Sequence, residues 1–502
     1  MTIQEPGTDP EASKTGVCPQ VAIIGAGTAG LAAYRAAKAA GASALLIEGS
    51  AYGTTCARVG CMPSKLLIAA AEAAHAIERA PGFGVHAQGG VRIDGRAVMA
   101  RVKRERDRFV GFVLDGVEAI PAADRVRGHA RFVDAHTLEV DGEARIRARA
   151  VVIATGSRPA IPAALATLGE RLVVNDDVFD WDDLPRSVAV LGPGVIGLEL
   201  GQALARLGAR VVVLGRGGRL GPITDPVVRE AALAAFGAEF ALDPDAHVSR
   251  IERVGDAVEI DYVAADGAAR TERFDYVLAA TGRAANVDAL NLEATGLARD
   301  WRGVPLFDPA TMRSSESAIF IAGDAAADAP LLHEAADEGR IAGENAARFP
   351  NVRPGLRRAP LGIVFTDPQI AIVGPGFSSL SLGTFVTGEV SFEDQGRSRV
   401  MLRNTGTLRV YADPATGRFL GAEMAGPDAE HIGHLLAWAL QAGMTVADML
   451  DMPFYHPVVE EGLRTALRDV AMRISREPAP ECLSRGRESP RESVRQTAAA
   501  RR

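Results

Sequence analysis

The sequence predicts a mixed α/β fold in which one strand–turn–helix–strand unit occurs twice, followed by an α+β unit of different texture. Three observations predict it. Residues 21–48, VAIIGAGTAGLAAYRAAKAAGASALLIE, read as strand, tight turn, helix and strand. Residues 188–215, VAVLGPGVIGLELGQALARLGARVVVLG, repeat that pattern without a gap. From about residue 356, VFTDPQIAIVG, TLRVYAD and GRFLGAEMAG alternate apolar and polar residues as antiparallel strands do. HIGHLLAWALQAG and EEGLRTALRDVAMRI read as the helices of this third unit.

In the first unit a β-branched run ends at Gly25, the glycines fall at 25, 27 and 30, an alanine-rich helix follows, and Glu48 closes the second strand. Gly25, Gly27, Gly30 and Glu48 form the GxGxxG-plus-acid pattern of a Rossmann-like dinucleotide site. There the pyrophosphate sits at the helix N-terminus and the acid holds the adenosine ribose. In the second unit Gly192, Gly194 and Gly197 match those glycines, and Gly208 matches Gly41. Two such units imply two dinucleotides, which suits an enzyme passing electrons between cofactors. The repeat differs at one place. Glu48 stands 23 residues after Gly25, whereas 23 residues after Gly192 stands Gly215, followed by Arg216 and Arg219. A carboxylate there would repel a 2′-phosphate; a glycine with nearby arginines would accept one. The second nucleotide is therefore expected to be NADPH, or either NAD(P) form.

Three further stretches end a strand in glycine and look like parts of the first unit: VVIATGSRP (151–159), VLAATGRAAN (277–286) and IFIAGDAAAD (319–328). Thr155, Gly156 and Asp324 are candidates for the first nucleotide and Gly282 for the second. An acid at a strand's carboxyl end suits a ligand hydroxyl, although by spacing alone Asp324 serves equally as a turn residue or helix cap.

At 502 residues the chain is too long for one core. The boundaries expected are a disordered N-terminus at 1–19, a discontinuous first unit at 20–165 and 286–350, and a second at 166–285. The third unit spans 356–475, with a disordered tail at 476–502. Hydrophobic content of 47% and charged content of 24% are those of a globular protein, and a net charge of −8 disfavours a nucleic-acid partner. The tail's seven Arg and four Glu give +3, leaving −11 on the rest. No apolar run is long enough for a membrane span, and no signal-peptide core is seen, so the expected location is cytoplasmic.

Four cysteines make no disulfide scaffold. Cys56 and Cys61 nevertheless stand close together in GTTCARVGCMPSK (53–65). Such a pair is catalytic, metal-binding or accidental, and no second Cys/His pair stands at metal-finger spacing, so redox chemistry is favoured. Residues five apart on an ideal helix point about 140° away from each other. Bridging them needs a distorted turn, which Gly60 and Pro63 permit. A ring of about six residues stabilises little, about 2 kcal/mol, so such a bridge suits a switch better than a strut.

GTTCARVGCMPSK after GAGTAG, together with VVIATGSRP, IFIAGDAA and FYHPVVEE, resembles the FAD-dependent pyridine nucleotide–disulfide oxidoreductases. That family includes dihydrolipoyl dehydrogenase, glutathione reductase and mercuric reductase, and the similarity runs from about residue 20 to about 472. It implies an FAD domain, an inserted NAD(P) domain, a dimerisation domain and an obligate homodimer. It also implies that Cys61 is the charge-transfer thiol and Cys56 the interchange thiol. Lys65 and Glu199 would stand beside the flavin, Glu48 and Asp324 on the adenosine ribose and ribityl chain of FAD. His456 and Glu461, in MPFYHPVVEEG, would form the base of the other subunit's site; a carboxylate orienting a histidine is a general-base arrangement.

Two departures stand out: Thr54-Thr55 replaces the usual Gly-Thr, and Ala57-Arg58 lies between the cysteines, where Arg58 is a candidate to tune a thiolate. The resemblance leads to a disulfide oxidoreductase whose most favoured substrate is dihydrolipoamide, free or protein-bound. An NADPH-dependent disulfide or mercuric reductase is the alternative; from another class, a non-catalytic flavoprotein redox sensor. Arg35 falls where glutathione reductases place a glutathione-binding arginine, but it reads better as a solvated helix face. Cys18 and Cys482 lie outside these motifs.

Overall fold

The computed structural model describes residues 18–476 apart from 88 and 90. The expectations for the two termini, and Cys482, fall almost wholly outside these residues.

Val21–Ile24 is wholly buried and apolar, as a central parallel strand requires. It pairs in parallel with Ala44–Glu48 on one side and Ala150–Ile153 on the other. Arg125–Arg127 and Ile319–Ile321 complete this five-stranded sheet at its two edges. The helix Thr28–Ala39 lies against Leu332–Arg348 with almost no side chain between them. A Cβ on Gly339 or Gly343 would meet the backbone of Ala29 or Ala33 at 2.1–2.2 Å. Residues before and after the second unit therefore build one layer pair.

The second unit repeats the order. Ser187–Leu191 is central, with Arg210–Leu214 and Ala241–Asp243 on one side and Tyr276–Ala279 and Leu172–Val173 on the other, all parallel. In both units a three-stranded antiparallel meander precedes the inner strand: residues 130–147 before Ala150–Ile153, and 247–274 before Tyr276–Ala279. Of the two readings of VLAATGRAAN, as part of the first unit or within 166–285, the second holds: its strand lies in the second sheet, where Val188 faces Tyr276 and Leu191 faces Ala279. Only Arg283–Ala285, just past it, turns back to pair antiparallel with Ser157–Pro159.

The third unit is a five-stranded antiparallel sheet in the order Leu361–Val364, Gln369–Val373, Phe419–Gly426, Thr407–Ala412, Val386–Ser391. Ala429–Gln441 and Glu461–Arg476 pack on it around Phe392, Leu436, Leu467 and Val470. Among the described residues no helix is long and apolar enough to cross a membrane.

Candidate active site

The cysteine segment is a broken helix. Thr55–Val59 forms one turn, Gly60 interrupts it at φ −129°, ψ −118°, and Cys61 opens the long helix Cys61–Arg79. A side chain on Gly60 would stand 3.0 Å from the Thr55 carbonyl and 3.2 Å from the Cys56 Cα, so the break admits only glycine comfortably. This distortion is what lets two cysteines five residues apart meet. Both are free thiols here, and Cys56 hydrogen-bonds Cys61. That bond, followed by the charge of Lys65 and opposed by burial, draws the Cys61 thiol down to about 6. The same bond together with burial pushes Cys56 up. Cys61, at a helix N-terminus, is the sulfur that carries the negative charge.

The departure at Thr54 has a structural consequence. Its backbone sits at φ 57°, ψ 150°, a region that suits glycine and strains a β-branched residue. Its hydroxyl accepts a hydrogen bond from the Ala57 amide at 3.3 Å, capping the turn that carries Cys56. Arg58 donates from its guanidinium to the Ala51 carbonyl at 3.3 Å, and the leading influences on Cys61 are Cys56, burial and Lys65.

One turn along the same helix, Lys65 Nζ donates to both oxygens of Glu199 at 2.8 and 2.9 Å. Glu199, from the helix Val195–Arg206 of the second unit, is only 4% exposed and also accepts from the Phe365 amide at 3.0 Å. The Phe365 ring lies 4.6 Å from Lys65 Nζ. Three units thus meet beside the cysteines. Asn175 adds a tie, its amide donating to the Val59 carbonyl at 2.8 Å. Sequence reading missed Phe365 and Asn175, since neither belongs to a motif.

The two glycine turns are near copies. A Cβ on Gly25 would stand 2.2 Å from the Ala154 carbonyl oxygen, and on Gly192, 2.5 Å from that of Ala280. Gly30 and Gly197 press on the carbonyls of Gly25 and Gly192 in the same way. At Gly27, Gly194, Gly156 and Gly282, by contrast, an added Cβ meets nothing within 4 Å. Each turn leads into a helix whose N-terminal amides have no side-chain cap. Open space before uncapped amides is a seat for a phosphate.

In the first cradle Glu48 holds the loop, accepting from the amides of Ala26 at 2.8 Å and Ser50 at 2.7 Å. Asp324 stands past the strand end of Ile319–Ile321 and accepts from Ser157 Oγ at 2.6 Å. Thr155 Oγ1 is buried there without a hydrogen-bond partner. An orphaned hydroxyl, two carboxylates and a glycine turn free of side chains fit the ribose hydroxyls and pyrophosphate of a dinucleotide. In the second cradle the acid's place is filled by Gly215, whose Cβ would stand 2.6 Å from the Pro244 carbonyl and 2.7 Å from Pro193. Arg216 and Arg219 are exposed, and neither has an ion-pair partner among the described residues. Arg35 is exposed as well.

His456 and Glu461 are joined: His456 Nδ1 lies 2.9 Å from Glu461 Oε2, with Arg464 donating to the other oxygen at 2.9 Å. Desolvation works to raise the Glu461 carboxyl, but the bond from His456 and the Val458 amide hold it below its ordinary value. The imidazole itself is 80% exposed in the single chain, next in sequence to the exposed Tyr455. Among the described residues no group of three or more His, Cys, Asp or Glu is arranged to hold a metal ion.

Two units with matching glycine turns, joined by the Lys65–Glu199 ion pair one turn from a paired thiol, have the make-up of a nucleotide-dependent sulfur oxidoreductase. The chain belongs to the pyridine nucleotide-disulphide oxidoreductase family, whose model matches residues 19–339, with the family's dimerisation domain matching 361–467. Members of this family use FAD and NAD(P)H. Dihydrolipoyl dehydrogenase 3 of Pseudomonas aeruginosa is 32% identical over 470 residues, covering 90% of this chain and 97% of that protein. A mercuric reductase of Acidithiobacillus ferrooxidans is 32% identical over 456 residues, 89% of this chain and 81% of its own. Among solved structures, LpdA of Mycobacterium tuberculosis matches with a TM-score of 0.76 at 24% identity, covering 90% of this chain and 99% of that one. The HOCl-induced flavoprotein disulfide reductase RclA of Escherichia coli, solved as a Cu(II) complex, matches at 0.75 and 24% over the same shares. These two likenesses show a shared fold.

Proposed function

We propose that this chain, as a homodimer in the cytoplasm, moves electrons between NAD(P)H and a dithiol/disulfide substrate through FAD and the Cys56–Cys61 pair, the favoured substrate being a lipoyl group. The observation that carries the reading is the Cys61 thiol held near 6 beside Cys56, one turn from the Lys65–Glu199 ion pair. FAD is assigned to the first cradle, held by Gly25, Gly27, Gly30, Glu48, Thr155, Gly156 and Asp324. NAD(P) is assigned to the second, at Gly192, Gly194, Gly197 and Gly282, with Arg216 and Arg219. Bound FAD supplies the two-electron exchange between nicotinamide and sulfur.

The chain's own residues do the thiol chemistry. His456, held by Glu461 and reaching the cysteines of the other subunit, takes the proton of Cys56. The Cys56 sulfur bonds one substrate sulfur, and the other leaves as a thiolate that receives that proton. The Cys61 thiolate then bonds Cys56, expelling the second substrate thiolate and closing the disulfide. Run backwards, these steps oxidise a dithiol. The joined His456–Glu461 pair tells against a non-catalytic sensor, which needs no proton acceptor.

A second reading, an NADPH-dependent disulfide or mercuric reductase, is favoured by Gly215 and the unpaired Arg216 and Arg219, and by mercuric reductases among the relatives. Steady-state rates with NADH and NADPH against lipoamide, glutathione disulfide and Hg(II) separate the two. The lipoyl reading expects lipoamide to give the highest kcat/KM; Hg(II) or glutathione disulfide leading would overturn it.

A further inference from the structure

The turn after the strand Ile319–Ile321 carries Asp324 and is gripped from behind. Gly323 opens this turn at φ 69°, where a Cβ would stand 2.8 Å from that of Ala29, in the first turn of Thr28–Ala39. The Gly323 amide donates to Glu338 Oε2 at 2.7 Å. Glu338 lies on the helix Leu332–Arg348 and is wholly buried. Its neighbour Gly339 admits no side chain, since a Cβ would stand 2.1 Å from the Ala29 carbonyl oxygen. That close contact fixes how far the carboxylate stands from the turn it holds.

The other oxygen of Glu338, Oε1, is buried without a hydrogen bond and lies 3.2 Å from Arg357 Nη2. Arg357 precedes the first strand of the third unit, Leu361–Val364, and also donates to Glu334 Oε2 at 3.2 Å and Asp328 Oδ2 at 3.4 Å. Burial pushes the Glu338 carboxyl up to about 7, against the pull of the Gly323 amide and Arg357, with Asp328 and Glu334 adding to the rise. Asp337, on the same helix, is paired with Arg358, and His333 lies 3.9 Å from Glu334. Thr28–Ala39 meets this helix with Ala29 and Ala33. An ionised carboxylate accepts an amide's bond about twice as strongly as a neutral group does. Arg357 is the cation that favours the ionised form.

We propose that Glu338 and Arg357 are positioning residues for FAD: the buried carboxylate fixes the Gly323 turn and with it Asp324, and the guanidinium keeps that carboxylate ionised. The inference rests on assigning FAD to the first cradle, with Asp324 on its ribityl chain. Asp324 is one residue from the held amide, and its Oδ2 accepts from Ser157 Oγ at 2.6 Å. The turn is thus held by its backbone on one side and by its side chain on the other. Loss of the charge on Glu338 loosens the backbone hold alone.

The test is the rate of FAD release from the oxidised holoenzyme on dilution, followed by flavin fluorescence from pH 6 to 9.5. The wild type should pass from faster to slower release as the pH rises through about 7. Glu338→Gln keeps an acceptor oxygen without the charge; it should lack this step and release FAD about fivefold faster than the wild type at pH 8. Arg357→Met should keep the step but move its midpoint up by about one unit or more, and Arg357→Lys should bring it back. These two variants decide the matter if Glu338→Gln fails to fold. A step that persists in Glu338→Gln, wild-type release by that variant at pH 8, or an unmoved midpoint in Arg357→Met would overturn the inference. Glu48→Gln, in the cradle itself, should also speed release; release unmoved there would overturn the assignment of FAD to the first cradle instead.

Discussion

The first and second units share strand order, glycine turn and inner loop, yet differ where the adenosine ribose would lie. In the first, Glu48 fills the strand end and bonds two loop amides. In the second, Pro193 and Pro244 crowd Gly215 until no side chain fits. The comparison teaches that backbone geometry sets the phosphate seat, whereas the residue closing the second strand sets the charge beside it. One scaffold therefore holds two nucleotides of different character in a single chain.

The largest effect expected is steric. Gly30→Ala and Gly197→Ala place a Cβ 1.9 and 2.0 Å from a backbone carbonyl oxygen and should destabilise their units by about 3 kcal/mol or more, seen as a fall in thermal midpoint. Gly27→Ala and Gly194→Ala, facing open space, should leave the midpoint nearly unchanged but weaken FAD and NAD(P) respectively. Equal destabilisation by all four would break the distinction between packing glycines and seat glycines.

A smaller effect is expected at the charge difference. Arg216→Ala should weaken NADPH selectively, by about 10- to 150-fold if it loses one charged hydrogen bond. The wild type should accept NADPH at least as well as NADH. A tenfold preference for NADH in kcat/KM would sink this and favour the dihydrolipoyl dehydrogenase reading.

The smallest lies where the units meet. Lys65, from the first, and Glu199, from the second, share an ion pair beside Cys61, whose thiol Lys65 draws down after the bond from Cys56. Because the charged form is the one favoured, Cys61 stays a thiolate above about pH 6 and loses that state as the pH falls through it. Lys65→Gln should shift the pH midpoint of its alkylation upward; an unmoved midpoint would assign the lowering to Cys56 alone.

The glycine turns, Glu48, the broken cysteine helix and the His456–Glu461 pair were legible in the sequence because each is local: fixed spacing dictates the turn, the acid or the neighbour. The strand Tyr276–Ala279 could be read into either unit because Ala-Thr-Gly follows the inner strand in both, and only long-range pairing with Ser187–Leu191 decides its sheet. Phe365 beside Lys65, Asn175 on Val59 and Arg283 on Ser157 are contacts between units, invisible to periodicity. The recurrence of Ala-Thr-Gly was the one signal that pointed toward Ser157 and Arg283. Arg58, placed between the cysteines, is turned in the fold to the Ala51 carbonyl, a contact that its sequence neighbours do not announce.

The central claim is that electrons from the nicotinamide nucleotide reach the Cys56–Cys61 pair. The direct measurement takes oxidised holoenzyme under anaerobic conditions, adds NADPH or NADH, traps thiols with iodoacetamide and locates the labels by peptide mass. Cys56 and Cys61 are expected to be labelled only after the nucleotide is added, both in the same experiment. Labelling of both before any reductant, or of neither after it, would contradict that claim.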